Sequence, residues 1–265
     1  MKNFYPLMSW TEAEEAAAAD RVVILPIGSV EANGITPLGY DYLVPAALAE
    51  QAAERTGSLW MPSLAYGVSE AIDNFPGTIA MPPEHLATQV SAIVRSLIRS
   101  GFQHILLITN HIPNQYPVEY ALRRIRRETG VLVPSINPGQ LSTDLRGDLF
   151  DGENPTIGHG AEPGVSLLMH LHPGSVDLST AAHQPKSEFL GYEVLNPMAV
   201  KVGASSVGMF LELEEVSATS GWGDPTGASA EKGEIFFNRM LDFVVDFIPE
   251  FRKLDTRVAP PEVSG

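Results

Sequence analysis

A chain of 265 residues with 44% hydrophobic side chains is long enough for one large α/β domain or two small ones, and its Gly and Pro are spread rather than gathered into a linker. One domain over 1–265 is therefore expected, with 254–265 as a loosely held tail. Its 32 acidic and 17 basic side chains give a formal net charge of -15, which argues against a nucleic-acid partner, and the absence of cysteine excludes disulfides and thiolate ligands.

Thr11 with Glu14 reads as a capping box and predicts a helix over 11–20, leading into an apolar strand from Val22 to Ile27. That strand breaks at Gly28 into a turn-rich loop carrying Glu31, Asn33 and Asp41. A strand ending in a Gly-rich loop with carboxylates is the usual site geometry at the C-terminal edge of an α/β sheet, although solvated acids on a surface loop look the same. Asp41 stands where the next helix should begin, with Pro45 to Arg55 as its body and Gly57 as its stop. Leu59 to Tyr66 has strand character despite Pro62. Leu86, Val90, Ile93, Val94, Leu97 and Ile98 share one face of a helix ended by Gly101.

His104 to Ile108 has the continuous apolar character of a buried parallel strand and delivers Asn110, His111 and Asn114 to its C-terminal edge. A helix over Tyr116 to Glu128 and a strand over Val131 to Ile136 continue the alternation. Arg123, Arg124, Arg126 and Arg127 read as a solvated helix face or a subunit contact. The segment 137–158 is polar and turn-rich and reads as an excursion over the site or as a long loop. Pro163 opens a helix through Leu171, so Glu162 stands at a helix N-terminus as a cap or a ligand. Residues 206–216 read as strand or irregular structure, and Phe236 to Ile248 as a core helix. His85 and His183 are assigned to the surface, His170 and His172 to a solvated helix end. Ser29 lacks the G-x-S-x-G elbow of a nucleophilic serine.

Glu31 with Asp41, then His111, then Glu162 with His159 nearby form a donor set that suits an ion liking oxygen and imidazole, such as Zn, Mn or Fe(II). Polar residues at strand ends are common in α/β folds, so the spacing alone leaves a metal site open.

The run L-P-I-G-S-V-E-A-N-G-I-T-P-L-G-Y-D resembles the motif of the creatininase (creatinine amidohydrolase) family, usually L-P-x-G-S-x-E-Q-H-G-P-H-L-P followed by the Asp. The resemblance continues through Y-G-V-S-E and F-P-G-T at 66–78, T-N-H-I-P-N around His111, H-G-A-E-P-G-V-S around Glu162 and G-D-P-T-G-A-S-A-E-K-G at 223–233. It implies a three-layer α/β/α fold with a mainly parallel central sheet, assembled into a homo-oligomer, often a hexamer in the family. It also implies hydrolysis of a small amide or cyclic amide by metal-activated water. Glu31 and His111 would hold one ion, Asp41 would bridge, Glu162 would serve a second ion, and His159 would transfer protons with Glu162 beside it in the catalytic set. Tyr116 and Trp222 would wall the pocket of a small-molecule substrate.

This sequence also departs from the family pattern. Asn33 replaces a metal-binding His and is a poor ligand or a substrate contact; Thr36, Ile72, Ile112, Pro113 and Gly164 replace other usual residues. These changes imply one ion, Zn or Mn, rather than two. They keep two alternatives in view: a C–C hydrolase, lyase or isomerase of a cyclic ketone or lactone, and a catalytically degenerate binding or assembly protein. The N-terminus lacks a signal-peptide apolar region and no apolar run approaches the about 18 residues of a membrane span, so no membrane partner and a cytoplasmic location are expected.

Overall fold

The computed structural model describes residues 2–151, 157–182 and 185–258. The first helix, α1 (Trp10–Ala18), starts one residue earlier than expected: Ser9 is the cap, accepting from the Glu12 amide while the Glu12 carboxylate accepts from the Ser9 amide. The expected pair, Thr11 and Glu14, lies inside the helix.

Four parallel strands, β1 (Val23–Ile27), β2 (Leu59–Trp60), β3 (Ile105–Thr109) and β4 (Ser135–Ile136), form a sheet in the order β2-β1-β3-β4. Val23 to Ile27 pair in register with Ile105 to Thr109. Both central strands are buried on both faces, as their uniformly apolar sequences require. Pro62 confines the second strand to two residues. Pro134 has no amide hydrogen for the ladder, and β4 begins only after it.

Side chains alternating along β1 and β3 separate two cores. Ile24, Leu106 and Ile108 pack under α2 (Tyr40–Thr56), α6 (Gly164–Leu171) and the long α8 (Ala230–Arg252). Val23, Leu25, Ile27, Ile105 and Leu107 pack on the opposite face under α3 (Pro83–Arg99) and α4 (Gln115–Thr129). The result is a three-layer α/β fold. Burying a Leu or Ile side chain in such a core contributes about 1.5–3 kcal/mol.

Two regions differ from expectation. Inside the presumed loop after residue 137 lies α5 (Pro138–Leu145), whose cap Asn137 accepts from the Gly139 and Gln140 amides. A second, antiparallel sheet runs β5 (Glu188–Phe189), β6 (Tyr192–Asn196), β7 (Ala199–Val202) and β8 (Ser205–Gly208), followed by a single helical turn, α7 (Leu213–Val216). The first part of the expected tail is tied to the body: the Leu132 amide donates to Thr256 O, and the Thr256 hydroxyl donates to Gln103 O. Residues 259–265 of that tail and His183 lie outside the described residues.

Candidate metal centre

The C-terminal ends of β1 and β3 are adjacent, so the loops leaving them meet. Gly28 permits a close approach: a Cβ there would lie 2.3 Å from Asp41 O, so only glycine lets the start of α2 sit against the end of β1. Glu31, Asp41 and His111 are thereby brought together, all buried, each offering a donor atom within 4.8 Å of the others. Donors on opposite sides of one ion at about 2.0–2.2 Å would be about that far apart.

Each member is held by a neighbour. The Glu31 carboxylate accepts from the Ser69 hydroxyl at 2.5 Å through Oε2, which lies 3.3 Å from His111 Nε2; its Oε1 lies 3.1 Å from His159 Nε2. Asp41 accepts from the Asn110 amide at 2.9 Å through Oδ1; its Oδ2 lies 3.3 Å from Ser29 Oγ and 3.7 Å from His111 Nδ1. His111 Nε2 donates to Val68 O at 2.5 Å, which leaves the Nδ1 lone pair facing Asp41. A ring N–H held by a backbone carbonyl is the usual support of a metal-binding histidine.

Protonation follows the same geometry. Burial acts to raise the Glu31 carboxyl, but His111, His159 and the Ser69 hydroxyl outweigh it and hold it below its ordinary range. Burial acts to lower His111, yet the Glu31 and Asp41 carboxylates push it up to about 9. His159 is raised for the same reason: burial opposes, and its bond to Glu31 prevails. The residues fit a divalent ion. Two carboxylates and one imidazole form a hard to borderline donor set, and Asn33 beside them, 3% exposed, has a carbonyl oxygen with no hydrogen-bond partner among the described residues.

His159 stands at the edge of this group with its side chain 24% exposed. Its Nδ1 faces Ser220 O at 2.6 Å, so Nδ1 carries a hydrogen and Nε2, against Glu31 Oε1, is the atom that gains or loses one. Glu162 is not brought into the group. Its two carboxylate oxygens accept from the Ser166 amide and hydroxyl four residues on, tying it to the first turn of α6, and burial raises its pKa. Asn33 is at the site, its amide 3.4 Å from Asp41 Oδ2. Trp222 is next to it by backbone, donating to His159 O, while its ring packs toward the β6–β7 cluster. Tyr116 is 72% exposed on the first turn of α4.

Sequence reasoning missed the support layer. Ser69 and the Val68 carbonyl hold Glu31 and His111, and Asn114 fixes that segment by accepting from the Val68 amide and donating to Gly28 O. The Y-G-V-S-E stretch carried part of this signal, as a motif without a role.

The creatininase family model, described as creatinine amidohydrolase, matches residues 6–248. A creatinine amidohydrolase of Pseudomonas putida is 29% identical over 262 residues, covering 92% of this chain and 95% of that protein. A mycofactocin precursor peptide peptidase of Mycolicibacterium smegmatis is 24% identical over 244 residues, covering 87% of this chain and 85% of that one. Among solved structures, a manganese creatininase superposes with a TM-score of 0.78 at 28% identity, and a zinc–zinc form of a creatininase mutant with 0.77 at 28%. Each covers 94% of this chain and 98% of the other.

Proposed function

The chain belongs to the creatininase family, and we propose that this creatininase-type, metal-dependent hydrolase opens a small amide or cyclic amide at the Glu31–Asp41–His111 cluster. The observation that carries the reading is that cluster with His159 seated against it. Glu31, Asp41 and His111 would hold one divalent ion, Zn or Mn; manganese and zinc forms are known among the similar creatininase structures. When bound, the ion supplies Lewis acidity that polarises a carbonyl and makes water more acidic.

His159 performs the proton transfer. With Nδ1–H fixed on Ser220 O, Nε2 accepts a proton from the attacking water and returns it to the leaving nitrogen as the C–N bond breaks, giving a carboxylate and an amine. Glu31 stabilises the cationic ring between these two events. Glu162 contributes indirectly, fixing the start of α6 through Ser166, whose hydroxyl also accepts from the Ser229 amide at the start of α8. Asn33 faces the same space with an open acceptor, suited to a substrate N–H or, as a weaker ligand, the ion. We further propose that the chain works as one domain and a homo-oligomer in the cytoplasm; among the described residues no helix is long and apolar enough to cross a membrane.

Metal analysis of the purified protein, followed by chelation and readdition of Mn or Zn, tests this reading. One equivalent of ion and turnover of a cyclic-amide panel that disappears on chelation are expected. Protein that neither retains nor binds an ion would overturn it. The partnerless Asn33 oxygen and the exposed Ile112 beside His111 favour one second reading, a changed reaction on the same ion. Cyclic ketones and lactones belong in the same panel, and turnover of these with none of amides would select that reading.

A further inference from the structure

A separate cavity of about 470 Å³ opens between α4 and the segment 132–137, on the face of the sheet away from α8. Its volume is in the range of small-molecule sites. Val118, Leu122 and Val133 give it apolar walls. Thr109, 1% exposed, is among its lining residues, and the Thr109 hydroxyl has no hydrogen-bond partner among the described residues. Buried hydroxyls are nearly always paired, and a ligand group that reached this one would pair it.

The charges at the mouth are unequal. Glu119 is neutralised by Arg123, with Nε 2.6 Å from Oε1. Arg126 also lines the cavity, and its guanidinium has no carboxylate or other hydrogen-bond acceptor among the described residues. The lining therefore carries a net positive charge on a protein whose net charge is -15. An unpaired guanidinium is a ready partner for a carboxylate, which it can grip through two parallel hydrogen bonds.

We propose that this cavity binds a small organic monoanion: a carboxylate at Arg126, an apolar body against Val118, Leu122 and Val133, and a polar group at the far end that bonds the Thr109 hydroxyl. Nothing in the metal centre is needed for this, so the site stands whether or not the chain hydrolyses amides.

Calorimetric titration of the full-length metalloprotein with 4-hydroxyphenylacetate tests the proposal, against phenylacetate, 4-hydroxyphenylacetamide and inorganic phosphate. The hydroxyacid should bind, and loss of either its charge or its hydroxyl should weaken binding by about tenfold. Arg126→Ala, a surface change expected to leave metal content unaltered, should weaken the hydroxyacid by a similar factor. Thr109→Val, which keeps the side-chain shape, should abolish the difference between hydroxyacid and phenylacetate. Glu31→Gln, expected to lose the ion, should bind the probe as the wild type does. Binding lost in Glu31→Gln and unchanged in Arg126→Ala and Thr109→Val would place the probe on the metal and overturn the proposal. Equal affinity for phosphate, or no binding together with an altered oligomeric state in Arg126→Ala, would overturn it as well, marking a bare anion contact or a subunit contact.

Discussion

Asn114 has both ends of its amide engaged by backbone, Oδ1 by the Val68 N–H and Nδ2 by Gly28 O, and Val68 O in turn takes the hydrogen of His111. Changing Asn114 to Ala would leave the ligands in place but free their support; metal affinity should fall about 10- to 100-fold, measured by competition with a chelator. His111 predicts a pH dependence of its own. In metal-free protein its pKa is raised from 6.5 to about 9, so its stabilising charge is fully present below pH 6.5 and lost as pH rises through 9. Chelated wild type should therefore lose its stability advantage over His111→Asn across that window in denaturant titrations. Bound metal requires the neutral ring, so affinity for the ion should rise over the same interval. Glu31, Asp41 and His111 were legible in the sequence because each follows a strand end or opens a helix. The orientation of Glu162 was not: a carboxylate at a helix start serves as cap or ligand according to side-chain torsions, and Ser166 takes both its oxygens.

Helices α6 and α8 cross so closely that a Cβ on Gly233 would lie 1.9 Å from Ser166 O. Alanine is ordinarily the better helix residue by about 1 kcal/mol. Here the clash is with backbone, which cannot rotate away, so Gly233→Ala should destabilise by about 1–3 kcal/mol in urea unfolding. The two central strands could be read from sequence because they are buried on both faces and uniformly apolar, and α3 over them because its apolar residues keep a 3.6-residue period. The short pieces could not. In α5, Gly139, Ser142 and Thr143 are weak helix formers, and Pro138 with its Asn137 cap was the only start signal. The β5–β8 meander has strands of two to five residues whose pattern is too brief to show a period, and turns at Gly191 and Gly203 are its main trace. The strand expected over Val131 to Ile136 is split because Val131 and Leu132 bond the C-terminal segment rather than the sheet.

Across the molecule, the small antiparallel sheet and its exit carry exposed apolar side chains, with Leu190 77% and Phe210 86% accessible. Such a patch is the expected signature of a subunit contact. For the homo-oligomer proposed above, Phe210→Asp is expected to shift light scattering toward smaller species while the far-UV spectrum stays unchanged. The end of β3 connects what lies apart in the rest of the fold. Thr109, Asn110 and His111 are consecutive, yet the first lines the cavity, the second grips Asp41, and the third belongs to the metal cluster. If the probe binds Glu31→Gln as it binds the wild type, one thermodynamic cycle requires that a saturating anion leave the ion's affinity unchanged as well. Neighbours in sequence would then be strangers in free energy, and a chelator competition run with and without the anion reads that independence directly.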